Sequence, residues 1–330
     1  MSDSFAKLTT VARFPEHTML ENLAVRADGS VLVVASPQRE VWYTPAPTAD
    51  LPVEPMLLYT FDEGELAQSL VEAEPDVFYV FTYGKAMVHR FDLRGWTPGE
   101  PVRPTKVLDF EAPAGPNGSC LLAPGVMLVA DCVEGLIWRV DLSDDGLSGT
   151  ARVWLQHDTM AAGGGHPPVK FSATMEVPFP GINGLRFGPK TGYVYYTTSS
   201  QNLFLRVAVD PQTLEPAGEP EHLGDVANVD DLCLDEDLGV AYIARHPDHI
   251  IERVPLAPEG SGAGRAAGRA TVAGDPFTDQ LIGPTSIDWG RGAGDYGRVA
   301  YVPTDGGVVQ IAPDGVLRPA RLVRIEFTQH

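Results

Sequence analysis

A chain of 330 residues with 44% hydrophobic and 21% charged side chains holds enough apolar material for a large buried core, which excludes a disordered polymer. The formal net charge of −20 repels phosphate backbones, so nucleic acid is not an expected partner, whereas a cation is attracted. No uncharged apolar run reaches membrane-spanning length, and the opening MSDSFAKLTTVARF has no apolar core or cleavage site, so neither a membrane nor a secretory signal is expected.

Frequent punctuation by 34 glycines and 29 prolines favours short strands over long helices. Cys120, Cys132 and Cys233 lie in apolar segments without metal-like spacing and are odd in number. They read as buried free thiols of a cytoplasmic protein. A small-molecule substrate is the expected partner, with the chain itself a monomer or weak homo-oligomer.

Taken in chain order, one template recurs six times: a polar residue, a small residue, an apolar run, a turn, a second apolar run, a polar link and a third. The copies are LENLAVRADGSVLVVASPQREVWYT (20–44), AQSLVEAEPDVFYVFTYGKAMVHRFDL (67–93) and PNGSCLLAPGVMLVADCVEGLIWRVDL (116–142). They continue with INGLRFGPKTGYVYYTTSSQNLFLRVAV (182–209), VDDLCLDEDLGVAYIARHPDHIIERVPL (229–256) and a stretched PTSIDWGRGAGDYGRVAYVPTDGGVVQIAP (284–313). Their opening residues, Glu21, Gln68, Asn117, Asn183, Asp230 and Thr285, are 47, 49, 66, 47 and 55 residues apart. Such a period, with three strands per copy and room for a fourth, predicts an all-β, six-bladed β-propeller with four-stranded antiparallel blades around a central channel, as a single domain over 1–330. A terminal segment, AKLTTVARF or RLVRIEF, is expected to close the last blade.

In a propeller the first strand of each blade is innermost, so the six opening residues are expected at one mouth of the channel. The second strands return to that mouth, bringing Asp131, Thr198, Arg245, His246 and Asp305. The linker 157–181, with its glycine run, prolines, Phe171, Met175 and Phe179, suits either a lid over the mouth or a plain surface loop. The glycine-rich stretch 259–275 reads as a surface excursion, because it lacks the Lys-Ser/Thr of a phosphate cradle.

Glu21, Asn117, Asn183 and Asp230 thus place two carboxylates and two amide oxygens at matched positions. This hard-oxygen set suits one divalent cation, Ca²⁺ first, with Mg²⁺, Mn²⁺ or Zn²⁺ as alternatives. Capping of strand ends is the competing reading, and for Asn117 in the turn-like PNG it is an equal one. Gln68 is expected to line the channel or touch substrate, together with Asn117 and Asp131.

On LENLAV, PNGS, GINGL and VDDLCLD the chain resembles the senescence-marker-protein, gluconolactonase and luciferin-regenerating-enzyme family of six-bladed propellers, over nearly its whole length. The resemblance implies a divalent cation held by Glu21, Asn183 and Asp230, with Asn117 beside the metal or substrate, and lactonase activity. ENLAV replaces the Glu-x-Pro form common in sugar lactonases, and YYTTS stands where many members carry Asn or Asp. Both departures mark a divergent branch. For lactone or ester opening, a cation would polarise the carbonyl and activate water. Asp230 would act as base, and Arg245 would hold a carboxylate or ring oxygen. His246 would be the acid for the leaving alkoxide, or else a neutral surface histidine. No Gly-x-Ser-x-Gly elbow supports a serine hydrolase. Two alternatives keep the fold: a biosynthetic cyclisation catalyst with an apolar pocket near Tyr83 and Trp289, and a non-catalytic binding propeller with a structural metal.

Overall fold

The computed structural model describes residues 6–110, 114–170, 176–257, 268–275 and 280–328. Apart from two single-turn 3-10 segments, its regular structure is strand, and no helix among the described residues is long and apolar enough to cross a membrane. The fold is a six-bladed β-propeller of four-stranded antiparallel sheets. Blade one is formed by Leu20–Val25, Val31–Ala35, Glu40–Thr44 and Met56–Thr60, and blade two by Glu65–Glu74, Val77–Gly84, Met87–Asp92 and Thr105–Asp109. Blade three contains Pro116–Ala123, Val126–Asp131, Leu136–Leu142 and Gly149–Gln156, and blade four Ile182–Gly188, Tyr193–Thr198, Leu203–Ala208 and Glu221–Asp225. Blade five runs Val229–Asp235, Val240–Arg245, Ile250–Pro255 and Ala270–Gly274.

Blade six draws on both termini. Its order is Asp288–Trp289, Val299–Pro303, Arg321–Phe327 and, outermost, Ala6–Arg13, which pairs antiparallel with Arg321–Phe327. Both terminal segments proposed from the sequence are therefore used, one as third strand and one as fourth.

The chain divides into two compact units, one of residues 1–60 and 228–330, the other of Phe61–Ala227. In the first, one core packs blades five and six around Tyr242, Ile251, Ile287 and Ile325. A second core packs blades six and one around Leu20, Val33, Val299 and Leu322. In the other unit, blades two and three share Phe81, Val88, Met127 and Val140, and blades three and four share Leu128, Ile137, Leu185 and Tyr196. First strands are buried along their length, as in LENLAV and VDDLCLD, while the fourth strand MLLYT alternates partly exposed with exposed positions. An edge strand meets solvent on one face, whereas an inner strand is covered on both. All three cysteines are free and buried.

Glycine in PNG has a packing reason. A Cβ on Gly118 would collide with the Asn183 carbonyl oxygen and lie 2.8 Å from the Leu185 nitrogen. The first strands of blades three and four therefore approach through bare backbone. Gly118→Ala is expected to cost about 1–3 kcal/mol of stability, because overpacking here meets main chain that cannot rotate away. Urea unfolding of the variant checks this; an unchanged midpoint would show that the strands part without strain.

Candidate functional site

Five blades carry the same local irregularity at the residue the repeat singled out. Leu20 pairs with Ala35 but Asn22 with Val34, and Ala67 pairs with Thr82 but Ser69 with Phe81. The same one-residue excess spans Pro116 to Ser119, Ile182 to Leu185 and Val229 to Leu232. Each inner strand thus bulges over Glu21, Gln68, Asn117, Asn183 or Asp230. A bulge leaves one residue outside the ladder and re-aims its side chain, a device frequent beside functional sites. These five polar side chains are all buried.

In the first unit, Glu21 and Asp230 belong to an acidic cluster with Asp231 and Asp305, all buried. The Glu21 carboxyl is pushed up to about 8, first by loss of solvent and then by the charges of Asp231 and Asp305. Asp231 accepts hydrogen bonds at Oδ2 from Asn22 Nδ2 at 2.9 Å and Ser286 Oγ at 2.7 Å, and at Oδ1 from the Leu232 amide at 2.8 Å. Asp305 accepts from the Gly307 amide at 2.7 Å and the Val309 amide at 2.8 Å.

His246 is the base embedded in this cluster. Its Nε2 lies 3.0 Å from Asp305 Oδ2 and its Nδ1 3.7 Å from Asp230 Oδ2. Burial alone would lower the imidazole's proton affinity; the Asp305 charge and hydrogen bond, with Asp230, outweigh it and hold the pKa above its ordinary value. Desolvation likewise opposes ionisation of Asp305, but His246 and the two amides draw its pKa below the usual carboxylate range. His246 is thus not the surface histidine its loop sequence offered, because the turn after Arg245 folds the ring inward.

In the second unit, Asn183 Nδ2 donates to Ser199 Oγ at 2.9 Å, and its Oδ1 is buried without a hydrogen-bond partner among the described residues. The Asn117 carbonyl oxygen accepts from Ser69 Oγ, tying blades two and three. Gln68 is buried at its own bulge. Asp131 is engaged as a turn brace: Oδ1 accepts from the Gly115, Val133 and Glu134 amides and Oδ2 from Trp138 Nε1. Arg245 turns to Asp248 and, at 3.0 Å, to Glu252.

Trp289 was expected beside a pocket. Instead it donates to the Leu234 carbonyl at 2.7 Å and packs edge-on to Tyr242, because blade six's first strand starts late and carries it into the core. In the linker 157–181, Val169–Lys170 pairs with Glu176–Val177, Val177 packs on Leu66, Tyr83 and Cys132, and Phe179 stacks on His166. Phe171 and Met175, expected on its apolar underside, lie outside the described residues, as do 258–267 of the glycine-rich stretch.

The repeat alone did not single out Asn22, Asp231 and Ser286, although they occupy one place, just after the residue that opens each copy of the repeat. The doublet in VDDLCLD was the available signal. Among the described residues no group of three or more His, Cys, Asp or Glu is arranged to hold a metal. Each unit offers oxygen atoms of the kind a hard cation takes, carboxylates in the first and amide oxygens in the second. In the first unit, loss of solvent and then the charges of Asp231 and Asp305 push the Glu21 carboxyl up to about 8; in the second, the Asn183 Oδ1 is buried without a hydrogen-bond partner among the described residues.

No family model matches the chain, and no curated protein matches its sequence. Solved structures do match its fold. A luciferin-regenerating enzyme aligns at TM-score 0.68 and 14% identity over 98% of this chain and 96% of its own. Regucalcin from Agrobacterium tumefaciens, a calcium-binding protein, aligns at 0.61 and 13% over 98% and 97%. The periplasmic gluconolactonase of Pseudomonas aeruginosa aligns at 0.55 and 12% over 77% and 70%. At such identities the likeness speaks for the fold alone.

With metal removed, a Glu21 pKa raised from 4.5 to about 8 means the folded state binds a proton that the unfolded chain releases. That contribution is complete below pH 4.5 and lost as pH rises to about 8. In EDTA, Tm is therefore expected to fall across this window more steeply for wild type than for Glu21→Gln. Parallel Tm profiles would show that Glu21 is ionised throughout.

Proposed function

We propose that the protein is a divalent-cation-dependent hydrolase that opens a lactone or related ester. The observation that carries the reading is the buried acidic cluster of Glu21, Asp230, Asp231 and Asp305, with His246 as its embedded base. So much buried negative charge calls for a cation. Glu21 and Asp230 are its anionic ligands. A bound divalent ion supplies Lewis acidity toward a carbonyl oxygen and toward water.

The side chains supply the rest. Asp230 takes a proton from the attacking water as the new C–O bond forms. His246, whose protonated form Asp305 favours through Nε2, presents its Nδ1 proton on the Asp230 side, where the departing alkoxide receives it as the ring C–O bond breaks. Asp305 positions that imidazole through Nε2 and is itself fixed by the Gly307 and Val309 amides. Arg245, engaged by Asp248 and Glu252, stays outside the reacting set.

Elemental analysis with thermal melting in EDTA and in added Ca²⁺, Mg²⁺, Mn²⁺ or Zn²⁺ tests the cation. A near-stoichiometric metal and a Tm rise that disappears in Asp230→Ala are expected; no bound metal and no shift would remove it. With the preferred ion, γ-butyrolactone and glucono-δ-lactone hydrolysis followed by pH-stat tests the chemistry. His246→Gln is expected to lower kcat by roughly 10²–10⁴-fold while keeping the metal-induced Tm shift. Undiminished kcat would take His246 out of the reaction.

A further inference from the structure

The proposed reaction uses His246 and Asp305 and leaves a second buried imidazole of the same unit without a task. His249 is 2% exposed and directly follows the single 3-10 turn His246–Asp248. Its backbone is left-handed, at φ 60, a conformation in which histidine, asparagine and aspartate are enriched among side chains other than glycine. The ring reaches the segment leading into blade six, where Nδ1 accepts the Gly283 amide at 3.1 Å. An accepting Nδ1 carries no proton, so the neutral ring holds its proton at Nε2. Burial, and then the charge of His246, lower the His249 pKa against the charges of Asp305 and Asp248, which favours that neutral form.

This contact closes a circuit of four hydrogen bonds around the His246–Asp305 pair. His246 Nε2 lies 3.0 Å from Asp305 Oδ2. The Asp305 amide donates to the Gly283 carbonyl at 2.9 Å, the Gly283 amide to His249 Nδ1, and the His249 amide to the His246 carbonyl at 3.2 Å. Gly283 also lies directly against the Asp305 carboxylate: it sits at φ 68, and a Cβ there would collide with Oδ1 and lie 2.6 Å from the carboxyl carbon. What holds Gly283 therefore holds the carboxylate. Two bonds of the circuit join main chain to main chain, and a third is the pair itself. His249 Nδ1 is the remaining link. On its far side Gly274 abuts the His249 carbonyl so closely that a Cβ would collide with it, which keeps the turn from backing away.

We propose that His249 is a positioning residue: through Gly283 it fixes the Asp305 carboxylate against His246 and so aims the imidazole that donates the proton. The kinetic consequence rests on the hydrolase reading, whereas the geometry rests on the hydrogen-bond circuit alone. Gly283 is buried, so an amide that loses its acceptor there must find another, and the residue moves with the carboxylate it touches. Misplacing a reacting group by an ångström costs up to about 10²-fold in rate.

The test compares the full chain with added Ca²⁺ as wild type, His249→Gly and His249→Asn. Both variants accept a left-handed backbone, but only asparagine offers an oxygen in the place of Nδ1. Nitrogen NMR is expected to show wild-type His249 neutral with its proton on Nε2, a measurement that needs no variant to fold. Proton NMR is expected to show the His246 Nε2 proton downfield of the amides, identified by its loss in His246→Gln. His249→Gly is expected to lose that resonance and to lower kcat for γ-butyrolactone by about 10–10²-fold with KM unchanged. His249→Asn is expected to keep the resonance and to recover most of kcat. A merely structural role would lower Tm in His249→Gly and leave kcat intact below the melting range. If wild type opens no lactone but the resonance follows this order, His249 holds the pair and the hydrolase reading falls. If lactone is opened and His249→Gly keeps the wild-type kcat, or His249→Asn is as slow as His249→Gly, the positioning role is overturned and the hydrolase reading stands. A proton on His249 Nδ1, or a His246 resonance that is absent from wild type or survives His249→Gly, overturns it whatever the kinetics. No hydrolysis together with any of these NMR results overturns both.

Discussion

The hydrogen bonds that converge on Asp231 are the constraint from which the rest of the first unit follows. Asn22 of blade one and Ser286 of blade six both donate to the same carboxylate oxygen on blade five. Hydrogen bonds to a charged group contribute about 1.5–3 kcal/mol each, and more is lost when one partner is removed from a buried set. Three inner strands are thereby locked at one height. Because each donor or acceptor is the neighbour of a bulged residue or of its equivalent, Thr285, fixing it also fixes where Glu21 and Asp230 stand.

The other unit reaches the same end by a different route. The residues after its bulges are Ser69, Gly118 and Gly184, with little or no side chain to bridge strands. Contact is made onto the neighbouring backbone instead: Ser69 donates its short Oγ to the Asn117 carbonyl, and Gly118 lies against the Asn183 carbonyl. The Gly184 amide donates to Thr197 Oγ1 at 2.9 Å, which pins the bulge carrying Asn183. Polar bridging in one unit and close backbone packing in the other both hold a bulge that would otherwise relax into the ladder.

Electrostatics explains why such rigidity is needed. Loss of solvent, and then the charges of Asp231 and Asp305, raise the pKa of the Glu21 carboxyl. Against desolvation, His246 and two amides draw the Asp305 pKa down, and the Asp305 charge in turn raises the pKa of His246.

The repeat was legible because strand, turn and strand alternate with a period set by blade width, and that period survives substitution. Glu21, Asn183 and Asp230 stood out because polar residues at matched places on buried inner strands need a reason. The sequence also allowed either terminus to close the last blade, since both segments alternate suitably; only the pairing of Ala6–Arg13 with Arg321–Phe327 assigns them as fourth and third strands. His246 looked like a loop residue, Trp289 like a pocket aromatic, and Asp131 like a ligand contact as readily as a turn brace. Their roles depend on where a loop turns and what lies across it: Asp305 is 59 residues from His246 in the chain, and Asp231 is 209 from Asn22. Local pattern determines which residues are buried and which face they share. Which buried charges meet is decided by tertiary packing, because electrostatic energy depends on distance in space and is blind to separation along the chain.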